Sequence, residues 1–163
     1  MEIQPSDPEA QNFHCLHKPF DRWEPQVNCY KTRTTKKTIS TVLENKEKSP
    51  MFNGQIKGTG PRYCPSIEDK VFRYPEKFDH HVFVEPESAN LETIYPNGIS
   101  TSLPVDVQAE MIRTIPGFES AEIEVPGYAV EYDVIDTSRL SHSLENLDYE
   151  GLFFAGQVNG TSG

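Results

Sequence analysis

The chain has 163 residues, with 25 acidic against 15 basic side chains, a formal charge of -10 and a hydrophobic fraction of 36%. That length suits about one domain, and although the mean hydropathy is -0.59, nine Phe, seven Tyr and one Trp supply apolar faces that argue against wholesale disorder. No apolar run approaches the roughly 18 residues of a membrane-spanning helix, and the acidic balance excludes a surface that tracks a phosphate backbone along its whole extent.

The opening MEIQPSDPEA has neither a basic start nor an apolar stretch, so no signal peptide is expected and a cytoplasmic protein is. Residues 1 to 30 read as irregular, with Pro5, Pro8, Pro19 and Pro25 among polar and aromatic residues and no period. A helix is expected from Thr35 to Lys48, capped by Thr34 or Thr35. Ile39, Val42 and Leu43 form its stripe, and Ser49-Pro50 ends it. Gly54, Gly58, Gly60 and Pro61 mark a loop. Lys70 to Tyr74 and His81 to Glu85 are short β-like runs separated by a polar turn. The segment YPNGISTSLP, Tyr95 to Pro104, reads as a second loop. It leads into a helix from Val105 to Thr114, with Val107, Met111 and Ile112 on its apolar side and Pro116-Gly117 as its stop. Two or three strands are expected between Ser120 and Asp136, and a last strand over Gly151 to Ala155, which runs into the Gly-rich GQVNGTSG.

Chemistry concentrates in GPRYCPSIEDKVFRY, Gly60 to Tyr74. Its Gly-Pro turn permits close ligand approach, and Arg62, Lys70 and Arg73 can neutralise phosphates. Cys64 beside Arg62 has the setting of an activated thiol; the same residues also suit a plain loop with solvated charges and a packed cysteine. Asn97, Ser100, Thr101 and Ser102 could line a polar pocket or cap the following helix. Cys15, Cys29 and Cys64 form no CxxC pair, which fits a reducing compartment. His80 and His81, being adjacent, would face opposite ways on a strand and read as surface residues, and His14 and His17 lack a completing ligand, so no metal site is expected. Asp133 and Asp136 read as solvated or capping. The lysines Lys36, Lys37, Lys46 and Lys48 read first as an exposed helix face and second as a contact for RNA.

The strings SPMFNGQIKGTGPRYCPSIEDKVFRY, VEPE, YPNGISTSLP, PGYAVEYD and GLFFAGQVNGTSG, in this order, resemble the MnmG (GidA) family of tRNA uridine 5-carboxymethylaminomethyl modification enzymes. The resemblance runs from about Gln26 to Gly163, and PRYCPSIEDK and NGISTSLP are its most specific words. It implies an α/β fold, part of a FAD/NAD(P)-binding flavoprotein with an inserted second domain. Residues 1–25 would be an irregular segment, 26–90 part of the inserted NAD-binding domain with its return linker, and 91–163 the C-terminal part of the FAD-binding domain.

The resemblance further implies FAD, NAD(H) as reductant and methylene-tetrahydrofolate as co-substrate. Its implied partners are an MnmE-type GTPase, the tRNA whose wobble uridine is modified at C5, and a second copy in a homodimer of the full-length protein. The compartment would be the cytoplasm, or a mitochondrion or plastid in a eukaryote. By position, Cys64 matches a cysteine implicated in the modification. Gly60, Pro61, Arg62, Tyr63, Cys64, Pro65, Ser66, Ile67, Glu68, Asp69, Lys70, Val71, Phe72, Arg73 and Tyr74 match the segment assigned to NAD. Gln157, Asn159 and Gly160 match the flavin turn, and NGISTSLP falls near the flavin. The family's N-terminal Gly-rich phosphate loop, its other functional cysteine and its helical tRNA-binding end have no counterpart in the 163 residues. The chain alone is therefore expected to bind FAD weakly and to lack modification activity. Two other readings are a folate- and FAD-dependent tRNA methyltransferase of the TrmFO type, disfavoured by PRYCPSIEDK, and a non-catalytic module that binds tRNA or a partner.

Overall fold

A computed structural model describes residues 1–6, 27–56, 65–90 and 92–161. Four strands, β1 (Glu2–Gln4), β2 (Cys29–Arg33), β3 (His81–Pro86) and β4 (Ile94–Asn97), form one sheet in the order β1-β2-β3-β4. Every neighbouring pair is antiparallel, with Ile3 opposite Tyr30, Thr32 opposite Val82, and Val84 opposite Pro96. Among the described residues three helices accompany it: α1 (Lys36–Glu44), α2 (Ile67–Arg73) and α3 (Val105–Arg113).

The period-2 alternation of β3 explains the layering. Val82 and Val84 are buried while His81 is exposed, so one face of the sheet turns inward. Those two valines join Ile39 and Val42 of α1, Ile67 and Val71 of α2, and Val107 and Met111 of α3 in a single apolar core closed by Ile99, Leu103, Ile115 and Phe118. Helix α1 lies centrally, packed on both α2 and α3. The sheet and core draw on residues either side of position 90, so the expected NAD-side and FAD-side segments share one interior.

The helix expected over Thr35 to Lys48 stops at Glu44. Thr35 caps it, its hydroxyl accepting from Thr38 N–H at 3.2 Å, and a separate 3-10 turn follows over Lys46–Lys48. Its apolar stripe is narrower than expected, since Leu43 is exposed and Thr38 and Thr41 are buried beside Ile39 and Val42. Thr34 serves elsewhere, donating to Phe78 O at 2.6 Å and accepting from His80 N–H at 2.9 Å.

Other expectations are corrected. The run expected as β-like from Lys70 to Tyr74 is helical through Arg73, with Tyr74 as C-cap, because Ser66 and Asp69 form a reciprocal capping box that starts α2. Residues 1 to 30 are not wholly irregular, for Glu2–Gln4 pairs with β2. The loop from Tyr95 begins as strand β4. No strand forms between Ser120 and Asp136, nor over Gly151 to Ala155, where the one ladder contact is the isolated bridge between Glu145 and Phe153. The final Gly-rich turn holds a single 3-10 turn, Gln157–Asn159. Among the described residues, no helix is long and apolar enough to cross a membrane.

Candidate functional site

Three segments far apart in sequence meet at one buried side chain. Glu68 sits one residue inside α2, turned toward the core, with no exposed surface. Its Oε1 accepts from Ser102 N–H at 2.9 Å, Thr101 Oγ1 at 3.0 Å and Ser102 Oγ at 3.3 Å. Ser49 Oγ lies 3.5 Å away, at the outer limit of a hydrogen bond, and 3.0 Å from Ser102 Oγ. A carboxyl group taken from water needs such donors, since burial without them is costly. The other oxygen, Oε2, is buried without a hydrogen-bond partner among the described residues.

Two further bonds tie α2 to the same loop. Ile67 N–H donates to Ser100 O at 2.7 Å, and Lys70 Nζ donates to Gly98 O at 2.6 Å. The loop can approach because Gly98 adopts φ +104, where a Cβ would stand 2.7 Å from the backbone oxygen of His81. Thr101 and Ser102 therefore bind Glu68 rather than cap α3, whose N-cap is Pro104 with no side-chain capping bond.

The expected nucleotide segment divides by role. Gly60, Pro61, Arg62, Tyr63 and Cys64 lie outside the described residues. Pro65 is half-buried, Ser66 and Asp69 cap α2, Ile67 and Val71 are core, and Arg73 and Tyr74 are exposed. Phe72 packs against Phe52, ring centroids 4.5 Å apart, and Lys46 Nζ stands 3.9 Å from the Phe72 ring centre. Of the three cations expected to face phosphates, Lys70 is engaged with Gly98 O, and Arg73, in the last turn of α2, is exposed. The carboxyl of Glu68, matched to the NAD segment and alternatively read as a solvated charge, is fully buried.

The expected flavin turn is a separate construction. Gly156 and Gly160 take φ +80 and +84 and bracket the 3-10 turn. Asn159 is buried, donating from its amide to Phe154 O at 3.1 Å and accepting from Thr161 N–H at 3.1 Å, which shapes the turn itself. Gln157 is half-buried. The turn is held by Ile135 N–H donating to Val158 O at 2.8 Å and by Thr137, whose methyl group would lie 2.7 Å from a Cβ on Gly160. The side chain of Asp136 accepts from Ser138 N–H and Oγ, and these bonds hold its carboxyl below the usual carboxylate range; it is a capping residue, as read from sequence.

His80 was expected at the surface and is buried instead, its Nε2 without a partner among the described residues. Burial first, then Lys77 and Lys70, lowers its pKa from the ordinary 6.5. Cys29 is a free, half-buried thiol. Among the described residues no group of three His, Cys, Asp or Glu side chains is placed to hold a metal ion. Sequence reading missed the meeting of Ser49, Glu68 and Ser102, although Ser66-x-x-Asp69 was a legible helix start.

Comparison with known proteins matches residues 1–163 to the family model described as Glucose inhibited division protein A. Two solved structures of Aquifex aeolicus GidA are similar over 99% of this chain, one at 46% identity with TM-score 0.84 (the form I crystal) and one at 42% with TM-score 0.80 (the form II crystal). The chain spans 28% and 25% of those two proteins.

Proposed function

Because the chain belongs to the Glucose inhibited division protein A (GidA) family, a family of FAD-binding flavoproteins, we propose that it forms part of a flavoenzyme that modifies tRNA. Its fold class is that of part of a flavoprotein, mixed helix and strand, here with an antiparallel sheet. The finer reading is addition of a carboxymethylaminomethyl group at C5 of the wobble uridine, with an MnmE-type GTPase as partner. In it NAD(H) is the reductant, methylene-tetrahydrofolate the one-carbon donor, and the full-length protein a homodimer. The observation that carries it is convergence: the specific words SPMFNG, PSIEDK and ISTSLP meet at Glu68 through Ser49, Thr101 and Ser102, while the whole chain matches one family.

Each part of the chain has a place in this reading. Residues 26–90 supply the nucleotide side and 91–163 the flavin side. Bound flavin would supply the electrons of the transfer chemistry. Gln157 would present its amide as donor and acceptor to a polar group of the cofactor without adding charge, while Asn159 and Gly160 hold the turn in shape. The left-handed glycines and the half-buried Gln157 fit such a contact. Cys64 would be the nucleophile toward the pyrimidine ring. The exposed apolar residues from Val125 (76% exposed) and Tyr128 (74%) through Tyr149 and Phe153 suit a face covered by the rest of a longer flavoprotein.

The test uses a full-length polypeptide that contains this segment. A visible flavin band that bleaches with NADH, and modified wobble uridine in tRNA that disappears with Cys64→Ser, are expected. A product without flavin, or one that instead methylates uridine, would overturn the reading. The 163-residue chain by itself is expected to bind FAD weakly and to be inactive.

A further inference from the structure

Nothing in packing alone calls for Glu68. A carboxyl group is costly to take from water, and among the described residues Oε2 gains no hydrogen bond from its burial. What the group does provide is direction. Its Oε1 gathers both the main-chain N–H and the hydroxyl of Ser102 together with the Thr101 hydroxyl. Ile67 N–H and Lys70 Nζ fix the same loop at Ser100 O and Gly98 O. The inward-facing groups of residues 98 to 102 are thus committed to α2, and the loop's exposed side, with Asn97 and Ser100, is left to face outward in one conformation.

We infer that Glu68 is a positioning residue, which braces the Asn97–Ser102 loop so that its outer polar groups meet the flavin in a fixed arrangement. The inference rests on the proposed flavoenzyme reading, with this loop beside the cofactor. Glu68 itself need not touch the cofactor. Its carboxyl acts through Thr101 and Ser102, as outer partners act on the groups that hold a ligand. Removal of the acceptor frees three donors at once and lets the loop adopt other conformations, so cofactor binding weakens while the core remains.

The experiment compares Glu68→Ala, Glu68→Gln and the core variant Val82→Ala in the full-length protein. FAD dissociation constants and the visible flavin spectrum are measured, with the unfolding midpoint of the apoprotein as control. Glu68→Ala is expected to weaken FAD binding about 10- to 100-fold, the scale on which outer partners of a bound group act, and to shift the flavin band. Glu68→Gln, which keeps an Oε1 acceptor, is expected to restore most of the affinity. Val82→Ala lowers the midpoint but leaves the dissociation constant unchanged. If Glu68→Ala does not fold, Thr101→Val combined with Ser102→Ala removes the same hydroxyl donors more mildly and is held to the same outcome. Wild-type affinity and spectrum in the alanine variant, a Gln variant no better than Ala, or equal weakening by Val82→Ala each overturns the inference. Absence of flavin from the wild-type protein instead defeats the underlying flavoenzyme reading.

Discussion

Replacement of Gln108 by Leu tests how the extended chain after Phe118 is attached to the core. Gln108 is 2% exposed on α3. Its Nε2 donates to Leu103 O at 2.7 Å and to Gly127 O at 2.9 Å, and its Oε1 accepts from Gly127 N–H at 2.8 Å. Leucine keeps similar volume but removes all three bonds. Leu103 is itself 2% exposed, so its carbonyl loses a donor that water cannot easily replace, at a cost of about 1–3 kcal/mol. Gly127 is exposed, and its N–H and C=O return to solvent for about 0.5–1 kcal/mol each. The sum is about 2–5 kcal/mol, and with a mid-range urea slope of about 2 kcal/mol per molar the midpoint should fall by about 1–2.5 M. Urea unfolding followed by circular dichroism reads the first effect. Amide exchange at Gly127 reads the second, because its protection comes from Oε1 alone. A midpoint within about 0.3 M of wild type, with Gly127 protection retained, would refute the reasoning.

Three further outcomes are expected. Gly98→Ala places a side chain at φ +104 and 2.7 Å from His81 O; strain of that kind costs about 1–3 kcal/mol, so the thermal midpoint should drop by several degrees, and an unchanged midpoint would show that the loop backbone is not as described. The lowered pKa of His80, due first to burial and then to Lys77 and Lys70 with Asp79 opposing, makes its neutral form the stabilising one. That stability is full above pH 6.5 and is lost as pH falls below it toward the lowered native value; His80→Leu should flatten this acid-side slope in urea midpoints measured from pH 7.5 to 5. Arg139 and Asp148 form a two-pronged pair, with Nε to Oδ2 at 2.9 Å and Nη2 to Oδ1 as its second prong, but the side chains are 53% and 44% exposed. Asp148→Asn should therefore lower the urea midpoint only slightly, and the difference from wild type should vanish in 1 M salt, the condition under which charge screening is shortest.

Helices α1 and α3 were legible because their signals are local: a threonine cap before Ile39 and Val42, and Val107 and Met111 spaced four apart before Pro116-Gly117. Helix α2 was not, since Val71, Phe72 and Tyr74 favour strands and the segment has only seven helical residues. Its true signal lay upstream, in the Ser66 and Asp69 capping box, which outweighs β propensity at the start of a short helix. Strands were expected between Ser120 and Asp136, where Tyr128, Val130, Tyr132 and Val134 alternate along the chain. All four are exposed, and the one main-chain bond described nearby is Ile135 N–H to Val158 O at 2.8 Å. Alternation specifies a chain ready to pair, but a strand also needs a neighbour, and that is a property of the fold rather than of the pattern.

The candidate site shows the same division between local and distant causes. Cys64 and Arg62 lie two residues apart and stand out in sequence. The role of Glu68 does not, because its hydrogen-bond partners lie 19, 33 and 34 residues away. A glutamate in the first turn of a short helix reads as a charge that complements the helix dipole in solvent. Only when the loop at Gly98 folds back onto α2 does that side chain become buried among hydroxyls. The backbone freedom of Gly98, the short reach of Ser49 and Ser102, and the cap at Ser66 are separately unremarkable. Together they hold a buried carboxyl group in one orientation, so the specificity of these words resides in a three-way contact that no single segment can specify.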